Sequence, residues 1–210
     1  MSSDAHFGGG SEPDPLRNVP TECYDVFRHP RRLRILEILG TRRTRLSLTE
    51  LTTEIIDREE PDVPTGQARY EIRTNLVHNH LPRLADHGLV TFDTESGVEL
   101  ADQPPVHPTE LSGLLELCNS GACKELLEAI VHPVRLRIVS MIAETNRPLS
   151  LERLAAKLVE RDVGSVSDPE RVAISLHHTH LPMLADVGVL EFDADSGLIV
   201  PDEQPMSIPQ

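Results

Sequence analysis

Aromatic side chains are almost missing from this chain of 210 residues. Four Phe, two Tyr and no Trp leave any core to aliphatic side chains. Lysine is nearly as rare: Lys124 and Lys157 stand against eighteen arginines. Asp and Glu outnumber Lys and Arg by 34 to 20, for a net charge of -14. An acidic, lysine-poor surface that keeps its arginines fits a salt-loaded cytoplasm, as in a halophilic organism. There acidity serves solubility, so it weighs little against a nucleic-acid partner. Cys23, Cys118 and Cys123 are an odd number without C-x-x-C spacing, which suggests neither a disulfide framework nor a zinc ribbon. They are expected to be reduced and to fill small core positions. No run of about 18 apolar residues occurs, and the first residues are rich in Asp, Gly and Pro, unlike a signal peptide. The expectation is a cytoplasmic protein with no membrane partner.

What is present is present twice. His29-Pro30-x-Arg32-Leu33-Arg34-Ile35 recurs as His132-Pro133-x-Arg135-Leu136-Arg137-Ile138, an offset of 103 that also relates Ser47-Leu48 to Ser150-Leu151. His80-Leu81-Pro82-x-Leu84-Ala85-Asp86-x-Gly88 recurs as His180-Leu181-Pro182-x-Leu184-Ala185-Asp186-x-Gly188, at an offset of 100. Phe92-Asp93-x-x-Ser96-Gly97 and Phe192-Asp193-x-x-Ser196-Gly197 share that second offset. Order survives a three-residue deletion placed between helices, which is what duplicated folded units show. The first unit is the less acidic one: residues 21–100 carry net -3 and residues 110–200 net -6.

Residues 1–20 lack periodicity and read as a disordered tail. The first unit, 21–100, opens with a short helix around Tyr24–Phe27. Pro30 starts a longer helix through Leu39. A basic loop, Arg42-Arg43-Thr44-Arg45, precedes the capping box Ser47-x-x-Glu50 and a helix through Ile56. Asp57–Gln67 reads as a loop. A helix from about Ala68 to His87 carries Leu76, Leu81 and Leu84 inward and stops at Gly88. Pro82 and Pro182 lie inside this helix and its copy, so each either kinks it or ends it. Leu89–Asp93 and Val98–Leu100 read as a β-hairpin. Residues 101–110 form a stiff Pro-rich linker. The second unit, 111–200, begins with bracing helices at Leu111–Cys118 and Lys124–Ile130, and residues 201–210 are a tail.

The fold class expected is mainly α with small β-hairpins (α+β), as two tandem winged helix-turn-helix domains. The end of the long helix and the start of the hairpin resemble those of ArsR-like regulators. The repeat as a whole resembles a haloarchaeal winged-helix domain family, and that resemblance implies DNA binding through the fold. A helical wheel places Arg69, Arg73, Thr74, Asn75, His78 and Asn79 outward in the first unit. Arg and Asn are the side chains that pair bidentately with guanine and adenine edges. Arg42, Arg43 and Arg45 stand where a phosphate contact is expected. The second unit offers Arg171, Ser175, His178 and Thr179, with Ile174 exposed in place of Thr74.

The partner expected is double-stranded DNA, bound by a transcription regulator acting as an intrachain pseudo-dimer. A homodimer through the second unit or the Leu111–Ile130 helices is the other partner considered. The rival function is a protein-interaction module, favoured by Ile174 and by acidic hairpin turns at Asp93, Glu95, Asp193 and Asp195. His78 with His80, and His177 with His180, are read either as metal ligands or as core and capping histidines, and the latter reading is preferred. No cofactor is expected. No nucleophile triad, P-loop or zincin motif occurs, so no enzyme is expected.

Overall fold

The computed structural model describes residues 19–111, 114, 123–145, 147–160 and 168–201. The terminal tails, the Leu111–Cys118 helix beyond Leu114, the break near Gly121 and the site of the three-residue deletion fall outside the described residues.

Each repeat follows one order of elements. In the first, a 3-10 turn at Thr21–Cys23 leads into α1 (Tyr24–Phe27) and α2 (Pro30–Arg42). Pro30 occupies the first turn of α2, where a missing N–H costs nothing, and His29 caps it by accepting the Arg31 N–H at 3.2 Å. α3 (Leu48–Glu59) opens on the capping box: Ser47 Oγ accepts the Glu50 N–H, and the Glu50 carboxylate accepts the Ser47 N–H at 2.8 Å. α4 (Thr65–Asn75) runs without a break through a π-turn (Leu76–His80) into α5 (Leu81–Asp86). The hairpin β1 (Val90–Asp93) and β2 (Gly97–Leu100) closes the repeat.

After the 3-10 turn Pro108–Leu111, the second repeat runs through α6 (Cys123–Ile130) and α7 (Pro133–Thr145) to β3 (Leu149–Ser150). Next come α8 (Leu151–Glu160), α9 (Pro169–Ser175), a second π-turn (Leu176–His180) and α10 (Leu181–Asp186). The hairpin β4 (Leu190–Asp193) and β5 (Leu198–Pro201) ends it. A run of helices closed by a hairpin, twice over, makes this a mostly helical α+β fold of two repeated units.

Several boundaries differ from the sequence reading. Asp57–Gln67 is not all loop. An i,i+4 pair from Arg58 to Glu54 at 2.5 Å carries α3 on to Glu59, and α4 starts at Thr65 behind Pro64. Only 60–64 connect them. Each hairpin also has a further backbone partner too short for any periodicity to reveal, an isolated bridge in the first repeat and a two-residue strand in the second. Leu46 exchanges backbone hydrogen bonds with Val98 at 2.9 and 2.8 Å, and β3 pairs with β5. Gly97 is required there, since a Cβ would collide with the Leu46 carbonyl oxygen. The 101–110 linker is no free spacer: Val106 is buried, and the Pro108 ring rests on Gly40 of α2.

The core is almost wholly aliphatic, with Phe27 and Tyr24 its buried aromatics, and it is continuous from one repeat to the other. Cys23 is buried as a free thiol. Arg28 Nε donates to the Val131 carbonyl at 3.0 Å. Position 131 is the counterpart of position 28 at the offset of 103, so the repeats meet through equivalent positions.

Candidate nucleic-acid interface

The long helix of each repeat is set by an unusual core register. Ile72, Leu76, Leu81 and Leu84 are all buried, as are Leu176, Leu181 and Leu184. In a regular α-helix a step of five residues lands about 140° from its start, so Leu76 and Leu81 could not share a face. The Leu81 N–H bonds to the Leu76 carbonyl, an i to i+5 closure, and the wider turn restores the stripe. The same closure joins Leu181 to Leu176. Pro82 and Pro182 sit two residues past the π-turn, where the inserted residue relieves the clash an interior proline would cause. The helix therefore neither ends at the proline nor loses its packing. It terminates at Gly88 and Gly188 in left-handed geometry (φ 66° and 70°), with Leu89 N–H to Leu84 and Val189 N–H to Leu184, both at 3.0 Å.

Turning the stripe inward leaves the opposite face to solvent. Arg69, Arg73, Thr74, Asn75 and His78 are exposed, and Asn79 is half-buried. Arg69 and Arg73 have no ion-pair partner among the described residues. Most other arginines of this repeat do. Arg28 pairs with Asp25, Arg31 with Glu59, and Arg34 with Glu37. Arg42 and Arg58 share Glu54, whose carboxyl is held below the usual range by those two guanidinium groups, Arg58 first. Arg45 reaches the hairpin, bonding Glu99 and Ser96 Oγ. Two of the three expected phosphate contacts are thus engaged internally, though exposed pairs of this kind open at little cost. Arg43 is exposed in the left-handed C-cap of α2 (φ 54°).

The second repeat presents a different face. Arg171, Ser175, His178 and Thr179 are exposed, but Arg171 lies 3.8 Å from Asp168. Pro169 and Ala173 stand where the first repeat has Arg69 and Arg73. Ile174 is 61% exposed.

The acidic hairpin turns have a structural role that the sequence reading missed. Asp93 Oδ1 accepts the N–H groups of Ser96 and Glu95 at 2.8 and 2.9 Å. Those bonds keep its carboxyl below the usual range. Asp193 accepts the Ser196 hydroxyl at 2.6 Å and the Asp195 N–H at 3.0 Å, with the same effect. These carboxylates close the turns.

The histidines divide by face. His78 is exposed and His80 is buried, as two residues apart on a helix should be. His80 packs against His29, with ring centroids 4.6 Å apart, and His180 packs against His132 at 4.9 Å. Burial, reinforced by nearby arginines, lowers His29 to about 4, His80 to about 3 and His132 to about 4, and lowers His180 as well. Neutral rings suit their capping roles: His29 Nδ1 accepts from Arg31, and His132 Nδ1 accepts from Val134 at 3.2 Å. His177 turns away from His180 toward the hairpin, with Nε2 3.1 Å from the Ala194 carbonyl oxygen. No group of three His, Cys, Asp or Glu side chains could hold a metal ion among the described residues. Nor is any described helix long and apolar enough to cross a membrane. The His29–His80 and His132–His180 partnership is not foreseen from the sequence, although a histidine opens both repeated motifs. Nor is the burial of Arg32 and Arg135, which donate to the Asp25 and Glu128 carbonyls at 3.0 and 3.1 Å.

Fold and surface together define an α+β protein of two repeated units with unlike helix faces. Residues 24–99 and 127–200 both match the family described as Domain of unknown function (DUF7344), and the chain belongs to that family. No curated protein and no solved structure matches it.

Proposed function

We propose that this chain is a sequence-specific, double-stranded DNA-binding transcription regulator that acts as an intrachain pseudo-dimer. One observation carries the reading. Arg69 and Arg73 extend from the exposed face of α4 beside Thr74, Asn75 and His78, with no acidic partner among the described residues of a strongly acidic chain. In a helix-turn-helix the exposed face of this helix enters the major groove, where Arg pairs with guanine and Asn with adenine. The contact of Arg28 with its own counterpart, Val131, supports a pseudo-two-fold arrangement addressing two adjacent half-sites. Arg42, Arg43 and Arg45 supply phosphate contacts once their surface ion pairs exchange carboxylate for phosphate. The closed turns at Asp93 and Asp193 keep the hairpins off the DNA backbone.

The competing reading, a protein-interaction module, draws on Tyr70, an aromatic ring 74% exposed on α4. Fluorescence anisotropy separates the two. The probes are a duplex from upstream of the chain's own gene and a scrambled duplex, compared over a potassium chloride series reaching molar concentrations. Preference for the upstream duplex that falls in Arg73→Ala and Asn79→Ala supports the regulator. Equal affinity for both duplexes at every salt concentration favours the interaction module.

A further inference from the structure

We propose that Ile174 is a base-reading residue that contacts the 5-methyl group of a thymine in the major groove. The inference rests on the DNA-binding reading above and deepens it by naming what the second repeat recognises. Ile174 lies on α9 at the position that Thr74 holds on α4, and its side chain is 61% exposed. Such exposure is unusual for isoleucine on a helix whose other large aliphatic residues, Val172 and Leu176, turn inward.

The surroundings decide what kind of surface it serves. Its neighbours three and four positions away are Glu170, Arg171, His177 and His178, all polar. A stable protein interface needs roughly 1,000 Å² of well-packed contact. One aliphatic side chain within a polar face falls far short of that. It does match the size of a single thymine methyl, which is the one apolar feature the major groove displays. Thr74 carries a γ-methyl at the same place, so both repeats put a methyl-bearing side chain at this point of the helix. The first repeat surrounds it with Arg73 and Asn75, which read hydrogen-bonding edges. The second has Ala173 and Ser175 and depends more on apolar contact.

The test uses the full chain and the upstream duplex, synthesised once with thymidine and once with deoxyuridine, which lacks only the 5-methyl group. Losing one methyl-sized apolar contact should weaken wild-type binding roughly fourfold. Ile174→Ala should bind the thymidine duplex more weakly and distinguish the two duplexes less. Ile174→Val should retain the distinction, and Thr74→Ser calibrates the corresponding contact in the first repeat. Because position 174 is exposed, Ile174→Ala should melt at the wild-type temperature. If the wild type prefers the upstream duplex to the scrambled one but ignores the methyl group, the inference fails and the regulator reading stands. The inference fails in the same way if Ile174→Ala leaves the thymidine-to-deoxyuridine ratio unchanged. If the wild type shows no preference over the scrambled duplex, the regulator reading falls and this inference with it.

Discussion

The two repeats keep the same inside and change the outside. Both have the i to i+5 turn, the glycine stop, the capping histidine packed at a tilt against a buried one, and the buried arginine bound to backbone carbonyls. On the exposed helix face, however, Arg69, Arg73 and Thr74 of the first repeat become Pro169, Ala173 and Ile174 of the second. The half-buried ion pair of Arg31 with Glu59 also has no equivalent, because Val134 takes the arginine's place. Packing constrains a buried residue through all its neighbours, whereas an exposed one answers only to what it binds. Under the proposed function, the difference between the repeats marks the surface on which their tasks diverged.

The largest effect should come from breaking what they share. Leu76→Ala and Leu176→Ala each remove a fully buried side chain and should cost about 2–5 kcal/mol. Because the core is continuous, either variant should lower a single cooperative transition in chemical denaturation. Two separate transitions would show that the repeats fold independently.

The next effect addresses the divergent faces. Arg73→Ala should cost about 1–3 kcal/mol in specific DNA binding, and Arg171→Ala, already tethered by Asp168, should cost less. Competition binding against scrambled duplex measures both. An equal loss from the two would erase the functional distinction between the repeats.

Acid should act on both repeats alike. The folded protein keeps His80 neutral down to about pH 3, whereas the unfolded chain protonates it near its ordinary value of 6.5. The unfolded state therefore binds the extra proton, and stability falls as pH drops from about 6.5 toward 3. His80→Leu should remove up to about 1.4 kcal/mol per pH unit of that slope. His180→Leu should act in the same direction. Urea midpoints measured from pH 7 to pH 4 test this, and an unchanged slope in His80→Leu would contradict the buried neutral pair.

The smallest effect concerns the basic loop. Arg42→Ala and Arg45→Ala break exposed ion pairs and should leave the melting temperature unchanged. Each should still reduce the salt dependence of DNA affinity by about one phosphate contact.

Much of the fold is legible in the amino-acid sequence itself. The duplication, Pro30 at a helix start, the Ser47–Glu50 box and the stop at Gly88 are local signals, and local hydrogen bonding enforces them. The spacing of Leu76 and Leu81 is also in plain view, but a step of five does not fit an α-helical face and requires the π-turn to explain it. A single bridging residue such as Leu46 has no period to detect. The turn-closing role of Asp93 is hidden because its charge shows in the sequence and its two backbone partners do not. The paired histidines join positions about fifty residues apart, and only the fold brings them together.

Selection of bound sequences from a randomised duplex pool tests the central claim most directly. An enriched site should be asymmetric, with one half held stringently by the Arg69 and Arg73 face and the other half looser and marked by thymine. A symmetric palindrome would contradict the division of labour between the repeats, and no enrichment at any salt concentration would contradict DNA reading altogether.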